Sequence, residues 1–345
     1  ATSNATSFSS PNHSNSSAFA TANVSSNVAL GETAIPVTIN NVTVDPTKVY
    51  DGTTGAVLNT GSATLSGVIS PDVVTLNSGS AVGNYDDKHV GTGKTVTVTG
   101  FTLGGANGGA YALPSPNQFA GLTADITIRP VTVSAVSDTK VYDGTAASAA
   151  SPSYTLQPGD ATGTAPTQTF DTKHAGIGKT LTASGLVIND GNSGNNYNIS
   201  YAADNTGEIQ VINITVTAVT DTKDYDGNTS SAGAPTYTLQ PGDATGTAPT
   251  QTFDNATVGT GKTLTPSGLV ISDGNSGNNY NIGYAANATG VINQLAVTVT
   301  PDAGQFKVFG DADPTFTYTA TPSLVSPHVF SATLSRVAGE AIGFY

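Results

Sequence analysis

The chain has 345 residues, a formal net charge of −13 and a pI of about 4.3, with only 10% of residues charged. It holds no Cys, Met or Trp, which excludes disulfides, thiol catalysis and cysteine-ligated metal. The acidic balance argues against nucleic acid, whose binders present a basic face. No apolar run reaches the roughly 20 residues of a membrane helix, so no membrane insertion is expected of this segment.

Residues 1–30 are Ser, Asn, Thr and Ala with a few apolar side chains (Phe8, Phe19, Val24, Val28 and Leu30). Alone, such a stretch buries too little to offset the entropy of ordering. With no Met to mark a start, residue 1 is expected to lie inside a longer precursor.

From residue 34 the chain turns to alternating strands. Ile35, Val37 and Ile39 stand at odd positions, and Val42 and Val44 at even ones. The same change of phase recurs later. Ile126 and Ile128 give way to Val131 and Val133, Ile209 and Val211 to Ile212, Ile214 and Val216, and Ile292 to Leu295, Val297 and Val299. Side chains alternate faces along a strand, so a slip of one residue moves the apolar set across the sheet. Each flip therefore marks the last strand of one module running almost directly into the first strand of the next.

After each flip comes a repeated phrase. Lys48, Tyr50, Asp51 and Gly52 return as Lys140, Tyr142, Asp143 and Gly144, then as Lys223, Tyr225, Asp226 and Gly227. A variant runs from Lys307 through Phe309 to Asp311. The aromatic residues of these four phrases stand 92, 83 and 84 residues apart, the period of tandem domains. The phrase reads as a structural turn: Tyr packs inward, Asp bonds nearby backbone and Gly supplies a positive φ. Further landmarks keep the same period. Tyr85-Asp86, Phe170-Asp171 and Phe253-Asp254 each precede a Gly-rich hairpin ending in Gly-Lys-Thr. Residues 154–171 and 237–254 are identical, which points to recent duplication.

Several residues invite a chemical reading. Lys94, Lys179 and Lys262 lie in Gly-x-Gly-Lys-Thr, but the full phosphate-loop frame and a following helix are missing. His89 and His174 are repeat equivalents, yet Thr257 stands there in the third copy, so they read as loop histidines. Asp190 with Asn192, and Asp273 with Asn275, offer closely spaced oxygens that a calcium ion could use. They lack the terminal Glu of a dedicated loop, and the turn reading is preferred. Lys48, Lys140 and Lys223 are weighed as isopeptide donors and read as structural. No Ser/His/Asp set recurs in register, so no enzyme and no other cofactor is expected.

These landmarks resemble the YDG repeat of large secreted bacterial exoproteins of the filamentous-haemagglutinin type. The likeness rests on the Lys-Val-Tyr-Asp-Gly-Thr opening, the Gly-Thr-Gly-Lys-Thr hairpin and the later Asn-Tyr, in order, over about residues 41–295. Asp224 departs from it, as do His89 and His174. From about residue 296, Val297 to Gln305 and Lys307 to Pro314 are similar to an MBG-type domain, with Leu334 to Arg336, Gly339 and Glu340 continuing the likeness.

The expected architecture is all-β: tandem small β-sandwich or β-grasp-like modules in an elongated rod. The divisions are 1–40, a polar segment ending in a strand; YDG-like repeats 41–129, 130–212 and 213–295; and an incomplete MBG-like module, 296–345. The resemblance implies a structural segment of an extracellular adhesin or fibre, at the bacterial surface or secreted, of the kind that builds biofilm. Direct binding of a glycan or host protein is the alternative; no receptor is identified. The strand at the start and the unfinished module at the end suggest either a stretch cut from a longer repeat polypeptide, the simpler reading, or head-to-tail contact between copies by strand addition. Ile35, Val37 and Ile39 would be donors, and Phe316 and Tyr318 acceptors.

Overall fold

The computed structural model describes residues 33–339 and 341–343. Among the described residues the chain is built of short strands in many small sheets, with one turn of 3-10 helix at Gly108–Ala110. It falls into two compact units. One comprises residues up to Lys48 with Thr54–Asp87 and Gly91–Asp125; the other comprises Val49–Thr53, Lys88–Val90 and Ile126–Tyr345. The Tyr-Asp-Gly turn of the first repeat, and the tip of its hairpin, are thus built into the second unit.

The second repeat shows how a module forms. Gly176–Ser184 alternates faces and turns Lys179, Leu181 and Ala183 inward. It pairs antiparallel with Thr167–Phe170, which buries Gln168 and Phe170, and with Asp204–Gln210, which buries Gly207 and Ile209. Thr139–Val141 lies parallel on the far edge of Asp204–Gln210, completing a four-stranded sheet. A parallel pair, Arg129–Ser134 with Tyr197–Ala202, adds Val131 and Val133 to the buried set. The third repeat copies each pairing, from Ile212–Thr217 on Tyr280–Ala285 to Thr222–Asp224 on Asn287–Asn293.

Gln168 is a polar side chain only 2% exposed. Its Nε2 donates to Val136 O at 2.8 Å and its Oε1 accepts from Val136 N at 2.9 Å. Gln251 does the same to Val219. Each amide stands in for a strand rung beside a segment with no ladder partner, which removes the cost of an unpaired backbone pair.

The phase flips fall where strands abut. Thr123–Thr127 and Arg129–Ser134 are separated by Ile128 alone, and Asp204–Gln210 and Ile212–Thr217 by Val211 alone. The third junction differs. Asn287–Asn293 is followed only at residue 298 by Thr298–Pro301, whose four residues are all exposed. That strand pairs with Tyr318–Thr321 in a two-stranded ribbon, and two strands alone cannot bury a face.

The beginning of the chain requires a correction. Ile35–Pro36 pairs parallel with Tyr111–Ala112, the place that Arg129–Ser134 takes against Tyr197–Ala202 in the second repeat. Thr38–Asn40 pairs with Thr64–Ser66. Val37 and Ile39 are each 2% exposed, and Ile35 is half-buried. The first repeat therefore starts near residue 35 rather than 41. These residues close their own module and are not an orphan strand free to serve a second copy. Residues 1–32, the rest of the polar segment, lie outside the described residues.

Candidate functional site: the joints between repeats

The Tyr-Asp-Gly turn is made locally. Asp51 Oδ1 accepts from Thr53 N and Thr53 Oγ1, both at 2.9 Å, an Asx turn that Asp143 repeats with Thr145. The motif lysine clamps the same turn: Lys140 Nζ donates to Asp143 Oδ1 and Thr145 O, both at 2.8 Å. It also lies 5.7 Å from the centroid of the Phe170 ring. Lys48 donates to Gly55 O, and Lys223 to Asp226 and Asn228 O. All three lysines serve their own turn, which accounts for them without a cross-link.

The tyrosine hydroxyl reaches beyond its own module. Tyr50 is fully buried, and its hydroxyl donates to Asp160 Oδ2 at 2.8 Å, 110 residues along the chain. Tyr197 donates to the same oxygen at 2.7 Å, and Lys88 donates to Asp160 Oδ1 at 2.9 Å. The Asp160 side chain is 0% exposed. The two tyrosine rings meet edge to face, 5.4 Å apart at 76°. Beside them, Val90 N donates to Asn196 Oδ1 at 3.0 Å, and Asn196 Nδ2 lies 3.2 Å from His89 Nδ1.

The same constellation joins the second repeat to the third. Tyr142, Tyr280 and Lys173 converge on Asp243 at 2.8, 2.7 and 2.8 Å, and that side chain is also 0% exposed. The rings of Tyr142 and Tyr280 meet at 5.6 Å and 71°. Ala175 N donates to Asn279 Oδ1 at 2.9 Å, with His174 Nδ1 3.3 Å from Asn279 Nδ2. The turn glycine lets the backbones close up. Gly52, Gly144 and Gly227 have φ of +80°, +81° and +79°. A Cβ on Gly144 would sit 2.6 Å from Pro241 O, and one on Gly52 would sit 2.9 Å from Pro158 O.

Electrostatics follow from this packing. Burial pushes the Asp160 and Asp243 carboxyls up, but the lysine ammonium and the two phenol donors outweigh it and hold both below the usual carboxylate range. Burial and the neighbouring carboxylate push the tyrosines up, Tyr197 to about 12. Hydrogen bonding to the aspartates raises Lys88 and Lys173. Each joint is therefore a fully ionised Lys-Asp pair capped by two neutral phenols.

The third joint has a different socket. Tyr225 Oη lies 2.7 Å from His328 Nε2, with the rings 5.5 Å apart at 62°. A Cβ on Gly227 would meet Val325 Cγ1 at 2.6 Å.

The remaining sequence candidates find other roles. Asp190 is 2% exposed; its Oδ1 accepts from Asn192 N and Gly194 N at 2.8 Å and its Oδ2 from Asn196 N at 3.1 Å. Asp273 is held alike by Asn275 N, Gly277 N and Asn279 N. Burial pushes these carboxyls up and the N–H donors pull them down further. Their oxygens accept from backbone, and the loop so formed holds Asn196 or Asn279 in place for the joint. Among the described residues no group of three or more His, Cys, Asp or Glu is placed to hold a metal ion. Lys94 pairs with Asp86 and Asp87, and Lys179 with Asp171, at the hairpin bases. Phe316 is half-buried, and Tyr318 is 36% exposed with its ring against Phe330.

Sequence reasoning reached the tyrosines but missed their partners. Asp160 and Asp243 sat inside the duplicated segments, Asn196 and Asn279 inside segments read as turns, and Lys88 and Lys173 went unremarked. The available signal was the Lys-His pair, shared by the first two hairpins and absent from the third.

The YDG domain family matches residues 32–118, 127–206 and 210–289, and the MBG domain (YGX type) matches residues 297–345. The first match opens at residue 32, in keeping with a first strand at Ile35–Pro36. No curated protein and no solved structure matches the chain.

Proposed function

The chain belongs to the YDG domain family, with three YDG repeats followed by an MBG domain, and from this premise we propose that it is a structural spacer in a bacterial surface adhesin or extracellular fibre. One observation carries the reading: the Tyr-Asp-Gly turn of each repeat is the plug of a joint into the module that follows. A plug with a buried phenol, a buried carboxylate and close backbone contact resists bending and pulling apart. The one-residue connections leave little slack. A spacer needs both properties and needs no catalytic residue. Small-angle scattering from the whole chain tests it. An extended particle is expected, and Tyr50→Ala with Tyr142→Ala together should loosen it. A compact globule, or a profile unchanged by the double substitution, would refute the spacer reading.

Direct ligand binding is the second reading, and it draws on the final segment. Phe306, Phe309 and Ile342 are exposed and line one cleft with Phe316, Lys307 and Arg336. Lys307 and Arg336 are both paired with Asp313, so the exposed rings carry this reading, against a sugar face or an apolar peptide side chain. A glycan-array signal that disappears with Phe306→Ala and Phe309→Ala would promote it.

A further inference from the structure

The two fully built joints share more than a plug. In both, the hairpin tip of the earlier repeat carries Lys-His (Lys88-His89, Lys173-His174), and the later repeat carries a socket of Asp, Asn and Tyr. The third repeat carries Ala256-Thr257 at the same tip. Its neighbour is a different kind of module, and the socket facing Tyr225 is built from Val325 and His328. The plug is therefore constant, while the tip varies with the socket it meets.

The socket also separates into two parts. Asp72 and Tyr111 of the first repeat bond as Asp160 and Tyr197 do, with Tyr111 Oη donating to Asp72 Oδ2 at 2.6 Å and accepting from Ile69 N at 3.2 Å. The Asp-Tyr bond thus belongs to each repeat's own loop. Ala110 stands where the other two repeats have Asn196 and Asn279. That Asn is the part that faces the neighbour, since its side chain meets the histidine ring and the N–H one residue beyond it. Lys-His at the tip and Asn in the socket occur together in both YDG-to-YDG joints.

We propose that the Lys-His tip and the Asn-bearing socket are a neighbour-recognition code, by which one repeat selects another YDG repeat as its successor. The Lys reads the buried carboxylate and the His reads the Asn amide. A tip with Ala-Thr leaves that carboxylate without its cation and the Asn without its ring partner, so it disfavours a YDG successor and tolerates an MBG one. The code rests on the reading of the turns as joints, and the test separates the two.

Hydrogen exchange on the whole chain, read over residues 139–146 and 222–229, decides it. Giving the second repeat the third repeat's tip, Lys173→Ala with His174→Thr, is safe for the fold because the third repeat already bears that pair. It is expected to speed exchange over 139–146 about tenfold. Asn279→Ala should cause a smaller increase, and the three substitutions together should exceed the tip change by less than twofold, as coupled groups do. The reverse graft, Ala256→Lys with Thr257→His, meets no matching socket and should leave exchange over 222–229 at or above the parent's rate. The code is overturned if the tip and Asn279 effects multiply independently, or if the graft protects 222–229 as much as the tip change exposes 139–146. Tyr142→Ala is the control for the joint itself. If it too leaves 139–146 unchanged, the joint reading fails; if it alone opens that segment, only the code fails.

Discussion

Replacing Asp243 with Asn should open the second joint while leaving both repeats folded. The carboxylate is fully buried and accepts from Tyr142, Tyr280 and Lys173 at 2.7–2.8 Å. Hydrogen bonds to a charged group contribute about 1.5–3 kcal/mol each. Asn keeps the shape and one acceptor oxygen, so the phenol bonds weaken rather than vanish. The lysine share is discounted because Lys173 is 30% exposed and its charge is screened. The net loss is then about 2 kcal/mol, confined to the joint, or roughly a thirtyfold faster local opening. Amide exchange at Ala175, whose N–H is bonded across the joint to Asn279, reads this opening. Exchange around Leu181 and Leu264, buried in the two cores, should stay slow. An unchanged rate at Ala175 would refute the reasoning. So would equal acceleration at Leu181, which would make Asp243 a core residue of its module and not the keystone of a joint.

Three further outcomes follow from the same geometry. Gly144→Ala places a Cβ 2.6 Å from Pro241 O at φ +81°, whereas Gly185→Ala has φ +84° and open space around it. Both carry the left-handed cost of about 1–2 kcal/mol, so a larger fall in melting temperature for Gly144→Ala isolates the close approach; equal falls would discount it. Gln168→Leu strands a part-buried N–H and C=O of Val136 and should cost about 1–3 kcal/mol in chemical denaturation; a cost under ~0.5 kcal/mol would mean that water replaces the rung. Stability measured by circular dichroism should be flat through neutral pH. Asp160 and Asp243 titrate lower when folded, so their contribution is complete above the ordinary carboxylate value of about 4 and is lost as pH falls through the folded values. Tyr197 titrates higher, so its contribution is complete below about 10 and is lost as pH rises through about 12. A loss already between pH 5 and 7 would refute this assignment.

The fold was legible because its determinants are local. Alternation at Leu181 and Ala183, Gly-rich hairpins and a fixed period are visible within a few residues of chain, and they specified an all-β set of modules with near-continuous junctions. The partners of the tyrosines were not legible, because Tyr50 and Asp160 lie 110 residues apart and each satisfies local turn chemistry on its own. Asp160 in Gln-Pro-Gly-Asp reads as a turn, and it is one. Nothing nearby announces that its carboxylate is buried by another module. The start of the first repeat was misplaced for a related reason. Ile35–Pro36 is a short strand whose partner, Tyr111–Ala112, comes 76 residues later, so periodicity alone gave it no owner. His89 and His174 were discounted because the third copy lacks them, on the premise that every copy does the same work. The copies differ because their neighbours differ.

That difference explains why one plug can serve two sockets. What the Tyr-Asp-Gly turn demands of any partner is modest: room for a positive-φ glycine against a close surface, and one polar atom for a phenol. Asp160 and Asp243 supply a carboxylate oxygen, and His328 supplies a ring nitrogen. A hydroxyl both donates and accepts, so the phenol meets either without leaving an unpaired buried group. Selectivity cannot come from such a tolerant contact. It must come from groups that fit only one socket, and a lysine aimed at a buried carboxylate is one: against a socket lacking that charge, it would lose its water for no return. Ala256 at the third tip removes that cost. The invariant turn thus fixes where modules meet, and the variable tip fixes which modules meet there.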